Sequence, residues 1–245
     1  YLVFQFIGAP ILGKWSDEHG RRKILLLSQA GTLVSWIVFL LALFLPIEPL
    51  ALVESSFLGT FVLTVPLLVL FLARALDGLT GGNVSVANAY LADLTAEKDR
   101  KKNFGKMAVA GNLGFILGPA MAGVLGATIL GEVVPVVAAL LISLAATLVI
   151  QFYLPESKTC LLTRNPEAVN VRKVFGQEQK DCFRLTGSEK IKLKDVLQIK
   201  NVPYLLALNF LIFVAFNFFY AAFPVHSIRG LEWTSTELGI FFSFL

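Results

Sequence analysis

The sequence predicts an all-α membrane protein. Hydrophobic residues make up 56% of the chain and charged residues 16%, whereas soluble proteins carry about a quarter charged residues. Several apolar runs reach the roughly 18 to 20 residues that a helix needs to cross a bilayer. Because these runs lack the alternation of polar and apolar residues that barrel strands show, we expect the spanning elements to be helices.

The apolar runs predict seven helical segments, at residues 1–13, 24–45, 66–92, 105–128, 132–154, 203–226 and 235–245. The first and last are too short to cross a bilayer, since thirteen residues at about 1.5 Å each cover roughly 20 Å. The chain also begins without the basic stretch of a signal peptide. We therefore expect a fragment that begins within one helix and ends within another.

The basic residues lie on alternate connections between these segments. The first connection carries four Lys and Arg, the third carries five, and residues 158–200 carry ten, which is nineteen of the 21 in the chain. Cytoplasmic loops of membrane proteins are enriched in Lys and Arg. These connections are therefore expected to be cytoplasmic, and those near 46–60, 129–131 and 227–234 to lie outside. The net charge of +4 follows from this topology, so it does not indicate a nucleic-acid partner.

The long polar segment 155–202 divides the chain into an N-terminal transmembrane bundle at 1–154, a cytoplasmic central loop, and the start of a C-terminal bundle at 203–245. Within the loop, "VRKVFGQ" fits either a short amphipathic helix at the lipid surface or a mobile tether. The region 46–65 is apolar but interrupted by prolines, and we expect an outward interfacial helix there.

The first connection carries the motif Gly13-x-x-x-Asp17-x-x-Gly20-Arg21-Arg22. Its glycines allow a tight reversal and its basic residues hold the loop on the cytoplasmic side. Neither role requires Asp17, which precedes Arg21 by four residues and can pair with it or cap a neighbouring helix. The motif, with the preceding "GAP", resembles the signature loop between helices two and three of drug exporters in the major facilitator superfamily.

The third span contains a polar stripe. At 100° per residue, six positions fall on one face of a continuous helix: Arg74, Asp77, Gly78, Gly81, Ser85 and Asn88. Because a buried Arg or Asp in a span costs about 2.5 kcal/mol or more, this face must look onto protein or a water-filled cavity. One interpretation is a proton-coupling pair beside a substrate cavity that Gly81, Ser85 and Asn88 line. The other is that Arg74 and Asp77 only neutralise each other and pack.

The same span carries a second family resemblance. Arg74-x-x-x-Gly78-x-x-Gly81 is similar to the helix-four motif of the superfamily, which is associated with proton coupling. Asp93, at the end of this span, matches the acid that in relatives joins the Asp and Arg of the signature loop. The resemblance implies that Gly13, Asp17, Gly20, Arg21, Arg22 and Asp93 form a conformational latch on the cytoplasmic face, closed when the carrier is open outward.

The fourth span carries the glycine pattern Gly105-x8-Gly114-x3-Gly118-Pro119-x2-Ala122-Gly123. Small residues on one face let a neighbouring helix approach, a proline bends the helix, and ordinary packing in any bundle uses the same residues. The pattern resembles the helix-five motif of proton-driven antiporters, with Ala122 where the family has glycine. Because symporters usually lack it, the resemblance favours export. "FYLPESK" at the end of the next span is also typical of these exporters.

The span after the central loop is rich in aromatic residues and contains intramembrane amides. Asn209, Phe213, Asn217 and Tyr220 are candidates for lining a cavity for planar, lipophilic substrates. Rings in a membrane span also commonly face lipid or neighbouring helices, so both interpretations stay open.

No motif of nucleotide binding or hydrolysis occurs in the chain, so we expect neither an enzyme nor a cofactor. We also expect no metal and no disulfide, because Cys160 and Cys182 lie 22 residues apart in a cytoplasmic loop without a nearby ligand set.

Together, these resemblances imply a major facilitator fold, with the chain covering helices 2–7 and the start of helix 8 of a twelve-helix carrier. The implied function is export of a small lipophilic or drug-like molecule in exchange for protons by alternating access. Asp77 and Arg74 are the proton-coupling candidates, although acids on the absent first helix are alternatives. A metabolite or sugar carrier and a non-transporting scaffold are the other hypotheses. We expect a monomer in a bilayer, in a bacterial inner membrane.

Overall fold

A computed structural model describes residues 1–55, 59–95, 97–156, 198–199 and 201–244. Short segments of the central loop, at 158–159, 171–174, 177–180 and 182–183, are described as backbone strands. Cys160 and the side chain of Cys182 lie outside the described residues. The prediction that these thiols form no disulfide and bind no metal therefore also falls outside them.

Helices account for most of the described chain. They are α1 (Leu2–His19), α2 (Arg21–Ala42), α3 (Val65–Thr80), α4 (Asn83–Leu94), α5 (Arg100–Gly126), α6 (Val133–Tyr153), α7 (Val202–Gly230) and α8 (Ser235–Phe244), with a 3-10 turn at Glu97–Asp99. Within the described residues, five stretches are long and apolar enough to cross a membrane: Arg21–Ala42, Val65–Leu94, Arg100–Gly126, Val133–Tyr153 and Val202–Gly230. The predicted all-α membrane class is confirmed.

The region before the third span is a β-hairpin, so the predicted interfacial helix is wrong. Strand β1 (Pro49–Ser55) pairs antiparallel with β2 (Gly59–Thr64), and Leu52 lies opposite Val62. Pro49 lacks the N–H that a helix interior requires. The segment "TFVLT" is made mostly of β-branched and aromatic residues, which fit a pleated sheet. These two features together favour strands over a helix.

The central loop also contains short strands among its described segments. These are β3 (Lys158–Thr159), β4 (Val171–Val174), β5 (Gln177–Lys180) and β6 (Cys182–Phe183), with β4 antiparallel to β5 and β3 parallel to β6. The amphipathic helix predicted as one alternative for "VRKVFGQ" is therefore wrong, because its first four residues, Val171–Val174, form strand β4.

The chain forms two compact units. The first contains Tyr1–Asn112 and Ile129–Arg184, and the second contains Leu113–Thr128 and Leu185–Leu245. In the first unit, α2 packs against α1, α3, α4 and α6. In the second, α7 packs against α8.

The predicted third span is two helices rather than one. α3 ends at Thr80 and α4 begins at Asn83, with Gly81 and Gly82 between them. The amide of Gly81 donates to the carbonyl of Gly78 (3.0 Å) at the end of α3. The amide of Val86 donates to the carbonyl of Gly82 (3.0 Å) at the start of α4. Two successive glycines are poor helix formers. The predicted polar stripe therefore crosses the joint between α3 and α4.

Two serines determine the alignment of α2 on α3. The hydroxyl of Ser35 donates to the carbonyl of Ala73 (2.7 Å), and Ser28 donates to the carbonyl of Thr80. Both serines are fully buried. Because the two donors are seven residues apart on α2 and the two acceptors seven apart on α3, the same antiparallel offset satisfies both bonds. A hydroxyl in a span needs such a partner, since lipid offers none.

Glycines allow α1 and α2 to approach α3 closely. A Cβ on Gly8 of α1 would overlap the backbone carbonyl of Leu79, and one on Gly31 of α2 would overlap the side chain of Thr80. On α3 itself, a Cβ on Gly78 would overlap the backbone of Tyr1. Small residues at helix crossings are the usual means by which membrane helices gain packing contacts.

Buried apolar side chains gather where four helices of the first unit converge. Leu12, Ile24, Leu25 and Val86 form this cluster, from α1, α2 and α4, and Ile150 of α6 packs against it. Many other large apolar side chains of the described spans are exposed, as lipid-facing surfaces require. The cluster lies next to the connection between α1 and α2, which carries the first motif.

We expect Gly8→Ala to destabilise the first unit, because the added methyl group would meet the Leu79 carbonyl. Overpacking of this kind costs about 1 to 3 kcal/mol. The measurement is the thermal unfolding midpoint of the purified protein in detergent. Gly111→Ala is the matched control: it is also inside a helix, but no described atom lies within 4 Å of the added Cβ. The control should be neutral or stabilised by up to about 1 kcal/mol, and equal midpoints would contradict the close approach.

Candidate functional site

The connection between α1 and α2 turns at a single residue, Gly20. Its φ of 101° lies in a region that favours glycine. A Cβ at Gly20 would also lie 2.7 Å from Oε1 of Glu156. Gly13, predicted to help the reversal, lies inside α1 with no described atom within 4 Å of an added Cβ. The tight turn therefore depends on Gly20 rather than on both glycines.

Arg21 is the centre of a polar network that joins three helices. Its Nε lies 2.8 Å from Oδ2 of Asp93 on α4, and its NH2 lies 2.5 Å from Oδ1 of Asp17 on α1. Its NH1 donates to the hydroxyl of Ser16 (2.7 Å). We call these four residues, Ser16, Asp17, Arg21 and Asp93, the Arg21 network. The structure thus brings together the loop arginine and both acids that the resemblance assigned to it.

The two ion pairs of Arg21 differ in their exposure to solvent. The side chains of Arg21 and Asp93 are 12% and 16% exposed, whereas that of Asp17 is 57% exposed. An exposed pair contributes little to stability, because water screens it. The sheltered Arg21–Asp93 pair is therefore the stronger link, and it joins the start of α2 to the end of α4.

Ser16 is a network member that sequence reasoning missed. It is 1% exposed, and its hydroxyl donates to the carbonyl of Gly13 (2.6 Å) while accepting from Arg21. Its position three residues after Gly13 on the buried face of α1 was the available signal. A serine there satisfies one guanidinium N–H that would otherwise be buried without a partner.

Arg22 binds the end of α6 rather than the network. Its Nε donates to the carbonyl of Ile150 (3.3 Å) and its NH2 donates to that of Gln151. Carbonyls in the last turn of a helix lack intrahelical partners, and cations are favourable there. Arg22 therefore caps α6.

Glu156 and Tyr90 complete the contacts at this end of the first unit. The backbone N–H of Arg22 donates to Oε1 of Glu156 (2.9 Å), and the Tyr90 hydroxyl donates to the carbonyl of Pro155 (2.6 Å). Glu156 belongs to the "PES" sequence that resembles exporters, but its contact with the motif loop was not predicted. The exit from α6 is thus bound directly to the turn at Gly20.

The charged pair of the third span lies within α3. NH1 of Arg74 is 3.4 Å from Oδ2 of Asp77, and their side chains are 33% and 12% exposed. The guanidinium carbon lies 4.8 Å from the ring centroids of both Trp36 and Phe39 on α2. Among the described residues, the buried Nε of Arg74 has no hydrogen-bond partner. Sequence reasoning found the pair but missed both rings.

The other members of the predicted stripe separate at the break between α3 and α4. Gly81 is buried, and its carbonyl accepts from Nε2 of Gln5 on α1 (2.9 Å). Ser85 is exposed and Asn88 is half-buried. Arg74 therefore lies on α3, whereas Ser85 and Asn88 lie on α4 beyond the glycine pair. Their role in a cavity stays a prediction.

The glycine pattern of α5 makes close contacts at its C-terminal end. The hydroxyl of Thr236 on α8 donates to the carbonyl of Gly123 (3.2 Å), and a Cβ on Gly239 would lie 2.6 Å from the carbonyl oxygen of Pro119. Both helical segments belong to the second unit. At three other glycines of the pattern an added Cβ would meet no described atom within 4 Å: Gly105, Gly114 and Gly118. Ala122, next to Gly123, is exposed.

The polar and aromatic candidates on α7 have different surroundings. Asn209 is exposed and Phe213 is 60% exposed. The amide of Asn217 donates to the carbonyl of Phe213 in its own helix (2.8 Å). The Tyr220 ring packs at 4.5 Å from Phe216 and 4.6 Å from Phe242 on α8. Of these four candidates, Tyr220 is the one whose ring joins a cluster between two helices.

The whole chain, residues 1–245, matches the family model described as Major Facilitator Superfamily. It is 34% identical over 128 residues, 52% of the chain, to "Tetracycline resistance protein, class C" of Escherichia coli, of which it covers 26%. It is 33% identical over 158 residues, 64% of the chain, to "Tetracycline resistance protein, class G" of Vibrio anguillarum, of which it covers 34%.

A relative from cattle is also similar. The chain is 35% identical over 158 residues, 64% of its length, to "Major facilitator superfamily domain-containing protein 10" of Bos taurus, of which it covers 28%. The chain thus spans between a quarter and about a third of the length of these curated relatives.

We expect Arg21→Lys to lower the unfolding midpoint, although it keeps the charge. A lysine ammonium is compact and cannot reach Ser16, Asp17 and Asp93 together with the fork geometry of a guanidinium. Hydrogen bonds to charged groups contribute about 1.5 to 3 kcal/mol, so a loss of that size is expected in a thermal melt in detergent. Lys23→Arg is the control, since Lys23 is exposed and surface changes stay within about 0.5 kcal/mol. Equal effects of the two exchanges would be incompatible with the network.

Proposed function

The chain belongs to the major facilitator superfamily, and from this premise we propose that it is part of a secondary transporter that exports a small, lipophilic or drug-like molecule in exchange for protons. The observation that carries the proposal is Asp77, a buried acid inside a membrane span beside Arg74. Ionisable groups in spans are costly, and they mark ion or substrate pathways.

Asp77 is the proposed site of proton exchange. Asp77 is buried beside the guanidinium of Arg74. An acid that water reaches from alternate sides in the two open states of a carrier can bind a proton from one side and release it to the other. The proton gradient suffices as an energy source: a charge crossing 100 mV yields about 2.3 kcal/mol, and one pH unit adds about 1.4 kcal/mol.

The direction of transport and the substrate class are supported by the similar proteins and by α5. Several relatives are named for resistance to tetracycline. Removing a drug from the cell is one way to make the cell resistant. The glycine pattern at 105–123 resembles that of antiporters in the family. The ring cluster around Tyr220 offers aromatic surface suited to a planar, lipophilic substrate.

The Arg21 network is the proposed conformational latch. It joins α1, α2 and α4 through one sheltered ion pair and one exposed ion pair. A rearrangement that separates Arg21 from Asp93 has to break the sheltered pair, so the network favours one state of the transporter. In this proposal the network and the central loop lie on the cytoplasmic side, as the distribution of basic residues indicates.

The arrangement of the whole carrier belongs to the same proposal. Residues 1–154 form the N-terminal bundle, 155–202 the central loop and 203–245 the start of the C-terminal bundle. Substrate then binds between the halves near the middle of the membrane. The protein acts as a monomer in the inner membrane of a bacterium.

The test is transport by the full-length protein in proteoliposomes under an imposed pH gradient. We expect the gradient to drive tetracycline or a lipophilic cation against its own gradient, in the direction opposite to the protons, and a protonophore to abolish this movement. Glucose serves as the comparison substrate. Sugar moving together with protons would instead indicate a symporter, and the absence of flux for every probe would refute the export hypothesis.

Asp77→Asn should uncouple transport from protons, because the amide cannot bind and release one. We expect at least a tenfold loss of pH-driven accumulation, while downhill exchange of the same substrate is retained. Glu48→Gln is the control, since Glu48 is exposed in the loop between α2 and the hairpin. Proton-driven accumulation that survives in Asp77→Asn would eliminate this role for the residue.

A further inference from the structure

The guanidinium of Arg74 lies against two aromatic rings of the neighbouring helix. Its central carbon is 4.8 Å from the centroid of Trp36 and 4.8 Å from that of Phe39. The two rings are 5.7 Å apart and tilted by 51°, and both are half-buried. A cation within about 6 Å of a ring face is attracted by the ring quadrupole, more strongly where water is excluded. Arg74 therefore has two such contacts.

The hydrogen bond from Arg74 to Asp77 is long. Its bond to Asp77 measures 3.4 Å, whereas charge-assisted bonds between nitrogen and carboxylate are usually about 2.7 to 2.9 Å. Its Nε is buried and has no partner among the described residues. The guanidinium therefore has two aromatic contacts in addition to its long bond with the carboxylate.

The rings are held in place independently of the charged pair. Ser35 precedes Trp36, and its hydroxyl donates to the carbonyl of Ala73, the residue before Arg74. This bond is fully buried, and the bond from Ser28 repeats the same offset two turns away. The alignment of α2 on α3 therefore presents Trp36 to Arg74 without help from Asp77.

Few other ionisable groups face this pair. α3 contributes only Arg74 and Asp77, and α2 has no ionisable side chain between residues 24 and 42. From α1, the Tyr1 phenol interacts electrostatically with both members of the pair. Arg74 is therefore the one cation that residues 24–42 of α2 and residues 65–80 of α3 place beside Asp77.

We propose that Trp36 and Phe39 are positioning residues that hold the Arg74 guanidinium beside Asp77 in both protonation states of the acid. A guanidinium held only by a salt bridge would be released when the acid becomes neutral. One held by aromatic rings stays, so the acid meets the same cation each time it ionises. The inference rests on the proposed proton exchange at Asp77 and adds the residues that keep the guanidinium beside the acid.

The first test is an infrared titration of the purified chain in detergent, without substrate, in which Asp77→Asn identifies the carboxyl band. We expect Trp36→Leu and Phe39→Leu each to raise the titration midpoint by about one pH unit, a tenfold higher proton affinity. The reason is that a released cation stabilises the carboxylate less. Trp36→Phe and Phe39→Tyr retain a ring and should restore the wild-type midpoint.

Phe71→Leu is the matched control for the leucine variants. Phe71 lies on the same helix as Arg74 but is 66% exposed, so its loss should leave the midpoint unchanged. An unchanged or lowered midpoint in Trp36→Leu and Phe39→Leu would overturn the proposal, since a lowered midpoint means that the rings keep the cation away from the acid.

A second measurement does not require any change to the two rings. The chain has three tryptophans, so Trp15→Phe with Trp233→Phe leaves Trp36 as the sole reporter of its environment. Its fluorescence should respond to Arg74→Gln but not to Asp77→Asn, which imitates the protonated acid. A response to Asp77→Asn would show that the guanidinium leaves with the charge, and would overturn the proposal even if the leucine variants do not fold.

These measurements use no transported substrate, so they separate this inference from the proposed function. A raised midpoint together with no proton-driven flux would leave the positioning by the rings intact and refute the function. Proton-driven flux together with unchanged midpoints would support the function and refute the positioning.

Discussion

A polar group inside a bilayer has to find its partner within the protein, because lipid supplies neither hydrogen bonds nor counter-charges. This constraint explains the main contacts of the first unit. Ser28 and Ser35 donate to carbonyls of the neighbouring helix, and Arg74 contacts Asp77 and two aromatic rings. Each contact joins different helices or places a charge, so the polar groups determine how the apolar helices are aligned.

The small residues act together with these polar contacts. Gly8, Gly31 and Gly78 lie where side chains would overlap a neighbouring helix, so the backbones come close enough for serine hydroxyls to reach carbonyls across the interface. The break at Gly81 and Gly82 belongs to the same region, because it ends α3 beside α1 and exposes a carbonyl to Gln5. Packing and hydrogen bonding are therefore two consequences of the same close approach.

Several features of the candidate site could be predicted from the sequence, and the reasons are local. Asp17 and Arg21 are four residues apart, on either side of the turn at Gly20, and Arg74 and Asp77 lie about one turn apart on α3. Contacts between distant segments were harder to predict. Glu156 stands 136 residues after Gly20 in the sequence, yet its carboxylate lies beside Gly20. The hairpin at 49–64 was misjudged because its apolar composition suits a helix, a strand and a membrane surface equally.

The sequence by itself determined that the chain is helical and spans a membrane, and it identified the charged motifs, because composition and periodicity within one segment carry that information. Only the tertiary structure decided that Trp36 and Phe39 face Arg74, that Arg22 caps α6, and that the third span divides into α3 and α4. Such contacts depend on the rotation and offset of one helix against another. Both are set by the surfaces of two helices at once, and no single segment encodes them.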